Sequence, residues 1–560
     1  MEGATSMSKS LSKQSFYICL AVIIAILAIY LVPLGSHGLL EPDEGRYSEI
    51  PREMIESGNF ITPKLNYVKY FEKPVLLYWM NAINFMTFGQ NEFSARLFTA
   101  SCALLGIAAT GALGAFMFGS LAGFLSAIIT ALSLLYFAIG TINLTDMPLS
   151  FFITLALVSF YVGHRSQNKK WYLLFYASMA LGLLTKGLVA IVLPGGVVFW
   201  YIIFTRKWKL ILEALYIPGI LLFFGISIPW FWLVCRDNPD FFHFFFIQEH
   251  FLRYATKMHD RYEPFWFFLP MIPAGIMPWT GFLFSLFSKD SILLSPADER
   301  ERDSNIYLLL WFGVILLFYS LSDSKLIPYI VPCIPPLTIL IGADISRMIK
   351  NKRWHGGAMA WEIGIAILFS AALIGYAILG NELPQATSLP IAIKVSIGLL
   401  IGPALAIWLS YSKIKNFKAA VAVLCVSSFI FIYGLLGIYT VMGETRSTKA
   451  VSAVITKEIR PNETIVSYGE VLQGIPFYTK QRVMLVDYMG ELEFGAKQKE
   501  GEGWFLKSEE FLPQWRNGSK SFVLVSDKDR IKTLFPDGNM KETKKIEVGD
   551  YLIIFNRRTK

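Results

Sequence analysis

Long apolar runs alternate with short polar segments along most of the chain before residue 445. A helix needs about 20 consecutive apolar residues to cross the hydrocarbon core of a bilayer. We therefore interpret apolar runs of about that length as membrane-spanning helices. The thirteen predicted spans cover residues 14–34, 94–117, 121–140, 147–163, 171–186, 188–204, 210–234, 265–287, 304–321, 326–345, 359–379, 390–411 and 419–441.

Basic residues are concentrated in every second connection between these spans. Lys and Arg cluster at 165–170, 206–209, 347–353 and 413–418, whereas the loop at 289–303 also carries acids. Cytoplasmic loops carry an excess of Lys and Arg, and acids contribute little to this rule. We predict a cytoplasmic N-terminus, and an odd number of spans then places the chain after the last span on the extracytoplasmic side.

Residues 445–560 show a different pattern. Short β-branched runs at 464–468, 483–487, 522–526 and 551–555 are separated by polar stretches with helical spacing, such as 448–459. This alternation is typical of a small α/β domain. We predict an α-helical polytopic membrane protein with a transmembrane domain at 1–444 and a soluble extracytoplasmic α/β domain at 445–560.

The composition supports a multi-pass membrane protein. Of the 560 residues, 54% are hydrophobic and only 17% are charged, and the mean hydropathy is +0.49. Soluble proteins carry about 25% charged residues. The net charge of +9 could indicate a nucleic-acid-binding protein, but the bases lie between apolar runs rather than on one soluble face. We therefore expect an integral membrane protein and no nucleic-acid partner.

Two of the predicted non-cytoplasmic loops, 35–93 and 235–264, are too long to be simple connections. The first contains Glu41-Pro-Asp-Glu-Gly-Arg-Tyr47, then Phe71-Glu-Lys-Pro74, and ends in an apolar run too short to span a membrane. The second is rich in phenylalanine at 241–246. These features are typical of helices that lie along the membrane surface.

Ionisable and polar side chains recur at this same predicted face of the membrane. They are Asp43, Glu72, Lys73, Asp146, Lys186, His250, Arg253, Lys325 and Tyr329. Ionisable groups at the ends of apolar spans mark binding sites, although a lysine can also snorkel there, and Asp43 could be a simple helix cap. Cations beside carboxylates suit a lipid phosphate and a second reactant. The sequence has no Gly-rich nucleotide-binding motif, so we expect a lipid-linked donor and no nucleotide cofactor.

Four motifs together resemble those of the 4-amino-4-deoxy-L-arabinose (aminoarabinose) lipid A transferases. Two lie in the first loop, at 41–47 and 71–74. The other two are Asn143-Leu-Thr-Asp-Met-Pro148 and Leu184-Thr-Lys-Gly187. That family belongs to the GT-C membrane glycosyltransferases and is related to the protein O-mannosyltransferases. The resemblance implies a GT-C fold and transfer of aminoarabinose from undecaprenyl phosphate to a phosphate of lipid A, with inversion. It also implies a location in a bacterial inner membrane, with the site and the C-terminal domain on its periplasmic face. We expect the protein to be a monomer.

The resemblance also implies roles for individual residues. Asp43 and Asp146 would be catalytic, and Lys73 and Lys186 would face the carrier phosphate. Glu72 and His250 would hold a structural metal, expected to be zinc, although a Glu–His hydrogen bond is the alternative. Further predicted contacts to the carrier lipid, with surface cations as the alternative, are Arg46, Arg253, Arg261, Lys325 and Tyr329.

Two other functions remain open from the sequence. A related transferase could move another sugar or use a protein or glycan hydroxyl as its acceptor. A flippase could use the same charges to recognise a lipid-linked sugar, but the sequence shows no inverted repeat of spans, which many transporters have.

Overall fold

The computed structural model describes residues 2–252, 263–379, 385–413, 415–517, 520–536, 538, 540 and 542–557. Most of the chain before residue 445 is helical, because a backbone inside a bilayer can satisfy its polar groups only in helices or closed barrels. The helices up to the second long loop are α1 (Glu2–Leu31), α2 (Asp43–Ser57), α3 (Leu76–Phe88), α4 (Glu92–Phe118), α5 (Ser120–Ala131), α6 (Leu134–Gly140), α7 (Asp146–Ser166), α8 (Lys170–Lys186), α9 (Val189–Thr205), α10 (Lys209–Ala214) and α11 (Ile217–Asp237). A π-helix follows at His243–Leu252.

The helices after the second long loop complete the membrane region. They are α12 (Phe268–Ile276), α13 (Thr280–Ser285), α14 (Glu299–Leu321), α15 (Ile334–Asn351), α16 (Ala358–Leu379), α17 (Gln385–Tyr411) and α18 (Phe417–Thr445). A short 3-10 helix at Val32–Gly35 follows α1, and another at Ile327–Cys333 leads into α15.

Within the described residues, nine helical segments are long and apolar enough to cross a membrane, and the pair α5 and α6, bent by 62°, would make a tenth. The predicted spans at 171–186 and 188–204 correspond to α8 and α9, which have 17 residues each. The span predicted at 265–287 is broken into α12 and α13. The prediction of a multi-pass helical membrane protein is confirmed, and the count of thirteen spans stays a prediction.

Small residues allow α4 and α5 to pack closely. A Cβ atom added at Gly111 would lie 2.9 Å from the Ala127 Cβ, and one at Gly342 of α15 would lie 2.8 Å from the backbone nitrogen of Ser126. Helices in membranes associate through such close contacts, since burial of apolar surface drives little association there. These three helices therefore form a tightly packed part of the bundle.

A buried ion pair attaches the first long loop to this bundle. The Arg96 guanidinium of α4 contacts the Glu44 carboxylate of α2 at 2.7 and 2.8 Å, and both side chains are inaccessible to solvent. Glu44 also accepts a hydrogen bond of 2.8 Å from the backbone N–H of Asn143. Burial alone would raise the pKa of Glu44, but Arg96 holds it below its ordinary value. Glu44 thereby ties the segment that contains Asp43 to the one that contains Asp146.

The chain after α18 forms a mixed six-stranded sheet, with strand order β5-β4-β3-β6-β8-β7. The first four strands in this order are parallel, and β8 and β7 are antiparallel. Their bounds are β3 (Glu463–Tyr468), β4 (Val483–Val486), β5 (Phe505–Leu506), β6 (Ser521–Asp527), β7 (Lys544–Val548) and β8 (Tyr551–Asn556), numbered after the first-loop hairpin β1 (Lys64–Leu65) and β2 (Val68–Lys69). The accompanying helices are α19 (Lys449–Glu458), α20 (Gly474–Thr479), α21 (Glu493–Ala496), α22 (Ser508–Asn517) and α23 (Lys528–Leu534). The predicted α/β fold of this region is confirmed, and all four predicted strands are present.

Candidate active site

A cavity of about 180 Å³ lies between the first long loop and the helical bundle. Its walls come from segments that are far apart in sequence: α2, residues 72–73, the start of α7, the end of α8 and the 3-10 helix before α15. Seven residues predicted as site residues line it: Asp43, Arg46, Glu72, Lys73, Asp146, Lys186 and Tyr329. The fold therefore brings most of the predicted residues into one place.

Asp146 and Lys186 meet because α7 and α8 form an antiparallel hairpin. Asp146 is the first residue of α7 and Lys186 is the last residue of α8, so both lie at the same end of the pair. The Lys186 Nζ is 2.5 Å from the Asp146 Oδ1 and 4.6 Å from the centroid of the Tyr329 ring. A carboxylate at a helix N-terminus and an ammonium at a C-terminus are each favoured by the helix dipole. The helix ends thus stabilise an ion pair at the edge of the apolar region.

Lys73 and Glu72 supply a second cation and carboxylate. The Lys73 ammonium donates a hydrogen bond of 3.0 Å to the Glu72 carbonyl and lies 3.8 Å from its carboxylate. Both side chains are mostly buried, at 14% and 12% exposure. Two ammonium groups therefore line one cavity, each beside a carboxylate that offsets its charge until an anionic ligand arrives.

Asp43 and Arg46 lie one turn apart at the start of α2. Asp43 is the first helical residue, so it is not the helix cap, and its carboxylate contacts the Arg46 guanidinium. The Asp43 side chain is 47% exposed, whereas Arg46 is 6% exposed. Tyr47 lines the same wall, and burial raises the pKa of its phenol, which stays protonated at neutral pH. Asp43 is thus held by a buried cation and remains accessible from the cavity mouth.

Glu491 is a site residue that the sequence did not reveal. It belongs to the C-terminal region, lines the cavity and forms an ion pair with Arg46. Phe494 holds this segment in place, with its ring 5.4 Å from that of Phe71 and 4.7 Å from that of Phe244. Nothing in the pattern around Glu491 distinguishes it from other surface acids, so only the fold could identify it.

The remaining predicted residues are not placed in the described lining of the cavity. Lys325 is 5% exposed, and its ammonium donates to the carbonyls of Ser322 and Glu263, at 2.5 and 2.7 Å. Arg253, Arg261 and the side chain of His250 lie outside the described residues. Lys325 therefore anchors the end of the second long loop, and its contact with the carrier lipid stays a prediction.

The predicted metal site also stays a prediction. Glu72 lines the cavity, but its predicted partner His250 has a side chain outside the described residues. In the part of the chain that the structure describes, no group of three or more His, Cys, Asp or Glu side chains could hold a metal ion. We therefore derive no chemical step through a metal.

Two family models match the chain. Residues 15–245 match the model described as dolichyl-phosphate-mannose-protein mannosyltransferase, and residues 451–538 match the aminoarabinose transferase C-terminal domain. The first match runs from the first membrane helix to the start of the second long loop, and the second covers the larger part of the C-terminal sheet region.

Individual proteins are similar over most of the chain. Undecaprenyl phosphate-alpha-4-amino-4-deoxy-L-arabinose arabinosyl transferase 1 of Proteus mirabilis is 37% identical over 339 residues, which is 58% of each chain. The arabinosyl transferase of Aeromonas hydrophila is 28% identical over 90% of this chain and 93% of its own. The crystal structure of ArnT from Cupriavidus metallidurans bound to undecaprenyl phosphate matches with a TM-score of 0.83 and 28% identity, covering 96% of this chain and 98% of that one.

The fold and these similarities define a membrane-embedded glycosyltransferase of the GT-C type. Both the membrane region and the C-terminal region share the relatives' architecture. Within that class the chain is similar over most of its length to the aminoarabinose transferases.

Proposed function

We propose that the protein transfers 4-amino-4-deoxy-L-arabinose from undecaprenyl phosphate to a phosphate group of lipid A, on the periplasmic face of a bacterial inner membrane. The observation that carries the proposal is the meeting of Lys73, Lys186, Asp43 and Asp146 in one cavity at the end of the α7–α8 hairpin. The names of the relatives supply the sugar and the carrier. The acceptor follows from the resemblance of the motifs.

The shape of the cavity suits a lipid-linked donor. Leu144, Val189, Phe318 and Leu326 form an apolar part of its wall, beside the charged part. An isoprenoid chain can lie against the apolar wall while its phosphate reaches the lysines. The cavity therefore presents two kinds of surface, as a polyprenyl phosphate requires.

The lysines would act on the leaving group. Transfer breaks the bond between the anomeric carbon of the sugar and the phosphate oxygen, and the electron pair remains on undecaprenyl phosphate. Lys73 and Lys186 can offset the charge that develops there, and charge-assisted hydrogen bonds are about twice as strong as neutral ones. Their neighbouring carboxylates keep both ammonium groups inside the cavity before the donor binds.

Asp43 would act on the other side of the reacting carbon. A lipid A phosphate is already anionic at neutral pH, so its oxygen can attack without a general base. Asp43 would then position the acceptor or stabilise positive charge on the sugar ring, and Arg46 would hold the Asp43 carboxylate in place. Direct displacement with inversion is the expected course.

Mass spectrometry of lipid A from cells with and without the protein tests the proposal. We expect lipid A from producing cells to carry an added 4-amino-4-deoxy-pentose on phosphate, and lipid A from cells that produce the Asp43→Asn variant to lack it. A different sugar, or unchanged lipid A beside another glycosylated product, would assign the chain to a related polyprenyl-phosphate-sugar transferase instead.

A further inference from the structure

The carboxylate of Glu41 binds the C-terminal region rather than the cavity. It accepts hydrogen bonds from the Thr448 hydroxyl at 2.8 Å, from the Gly474 N–H at 2.6 Å and from the Gln473 N–H at 2.9 Å. The Glu41 backbone N–H in turn donates to the Arg446 carbonyl at 2.9 Å. All four partners come from the chain that follows the last membrane helix. We call this contact the Glu41 joint.

Backbone packing makes the joint tight. A Cβ atom added at Gly45 would lie 2.6 Å from the Gly474 nitrogen and 2.8 Å from the Gln473 carbonyl carbon, and neither backbone atom can move aside easily. On the other side of Glu41, the Leu39 N–H donates to the Tyr478 hydroxyl at 2.8 Å. The close contact with α20 therefore requires a glycine at position 45, independently of any catalytic role of the motif.

The contacts alternate along one short segment. Glu41 and Gly45 contact the C-terminal region, whereas Asp43, between them, lines the cavity. Arg46, one residue further on, bonds to Glu491 of the same region. A shift of the joint would therefore have two effects at once: it would move Asp43, and it would separate Arg46 from Glu491.

Glu41 itself has no direct access to the reacting groups. Both of its carboxylate oxygens accept hydrogen bonds from the three donors, and Glu41 does not belong to the described lining of the cavity. An effect of Glu41 on catalysis must therefore act through the placement of its neighbours.

We propose that Glu41 is a positioning residue, which docks the first loop on the C-terminal region so that Asp43 and the Arg46–Glu491 pair stand in register in the cavity. The inference rests on the proposed glycosyl transfer. It gives the C-terminal region a role in assembling the site.

Glu41→Gln in the purified full-length protein tests this role. The amide presents an NH2 group to at least one of the three donors, so the joint loosens while the size of the side chain is kept. We expect kcat to fall about tenfold or more, because small misplacements of reacting groups cost that much. The dissociation constant and stoichiometry of undecaprenyl phosphate should stay within about twofold of wild type, because Lys73 and Lys186 lie on other segments.

Glu463→Gln is the matched control. Glu463 is another buried carboxylate of the C-terminal region, and it pairs with Arg557 at 2.8 Å, away from the joint. Its loss perturbs the same region without touching the first loop, so kcat should be retained. An equal fall of kcat in this control would show that general destabilisation explains the effect, and would overturn the proposal.

A cross-link provides the rescue. An added Cβ at Gly38 lies 2.9 Å from the Ser447 Cβ, so a small outward shift brings a cysteine pair to the separation of a disulfide. Gly38→Cys with Ser447→Cys, added to Glu41→Gln in a Cys19→Ser background, should regain kcat on oxidation and lose it on reduction. Formation of the bond is checked by intact mass.

The outcomes separate the two claims. Absence of transfer by the wild-type protein would reject the proposed function. With an active wild type, four results would overturn the positioning role: normal kcat in Glu41→Gln, an equal fall of kcat in Glu463→Gln, a parallel loss of carrier binding, or a formed cross-link that leaves kcat low.

Discussion

Arg46 of the first long loop and Glu491 of the C-terminal region form an ion pair at the wall of the candidate active site. Arg46 also contacts Asp43, so one guanidinium joins the predicted catalytic aspartate to a carboxylate from the other end of the chain. The Arg46 side chain is only 6% exposed. Loss of Asp43 or Glu491 would therefore leave the guanidinium charge less well paired in a poorly solvated place. The C-terminal region therefore contributes directly to the electrostatics of the site.

A double-mutant cycle on this pair measures that contribution. Glu491→Gln and Arg46→Met should each lower kcat/KM by about tenfold or more, as expected for a charged hydrogen bond of about 1.5 to 3 kcal/mol. The combined loss should be smaller than the sum, because the residues are in contact. Glu493→Gln is the control, since Glu493 is 62% exposed and pairs with Lys497. Strictly additive losses would show that the two residues act independently.

Lys73→Met and Lys186→Met should weaken the binding of undecaprenyl phosphate. Methionine keeps the apolar stem and removes the charge, so each change should cost about 1.5 to 3 kcal/mol of carrier binding and slow transfer as well. Lys64→Met, in β1 of the same loop, should leave carrier binding unchanged. Binding of the carrier and of lipid A is measured separately, and a loss confined to lipid A would assign these lysines to the acceptor.

The Glu41 joint should weaken as pH rises. Burial raises the pKa of Glu41 from 4.5 to about 7, and the nearby Glu470 adds to the rise. At a pH between 4.5 and about 7, Glu41 keeps its proton in the folded joint and releases it when the joint opens. The free energy that favours the closed joint is therefore fully present at pH 4.5 and below, and it is lost as the pH rises to about 7. The whole change amounts to about 3 kcal/mol.

Hydrogen exchange at Gln473 and Gly474, whose N–H groups bond to Glu41, reports the opening of the joint. Their protection, corrected for intrinsic exchange, should fall from pH 5 to pH 8 in the wild type and change much less in Glu41→Gln. Burial also raises the pKa of Glu49 and Glu53, so only the difference between the two proteins is attributed to Glu41. Equal pH dependence in both proteins would contradict the assignment.

The orientation in the membrane follows from the basic loops. A reporter that folds only outside the cytoplasm should be active when fused after residue 445, and inactive when inserted near residue 352. A cytoplasmic reporter should show the reverse pattern. The opposite result at either position would break the prediction of thirteen spans with a cytoplasmic N-terminus.

Much of the fold and of the site could be predicted from the sequence. Apolar runs determine the helices, because a bilayer leaves the backbone few alternatives. Asp146 and Lys186 could be predicted as site residues since each is an ionisable group at the end of an apolar run. The break between α12 and α13 was not predicted, because residues 265–287 form one mainly apolar run of spanning length, and Pro278 at the break did not divide it.

The contribution of the C-terminal region could not be predicted. Glu491 lies among other acids in the C-terminal region, and its pairing with Arg46 depends on how that region docks. Glu41 and Gly45 were visible as parts of a motif, but their role depends on the backbone of Gln473 and Gly474. Such contacts between distant segments follow from tertiary packing, which hydrophobic periodicity does not encode.

The most direct test of the account is transfer by the purified protein, followed by mass spectrometry of lipid A. Wild-type protein, supplied with undecaprenyl phosphate-linked aminoarabinose and lipid A, should add one aminoarabinose to a lipid A phosphate. Asp43→Asn, which keeps the size of the side chain and removes its charge, should bind undecaprenyl phosphate and yet leave lipid A unmodified. Near-normal transfer by Asp43→Asn, or wild-type protein that consumes no carrier-linked sugar, would contradict the account.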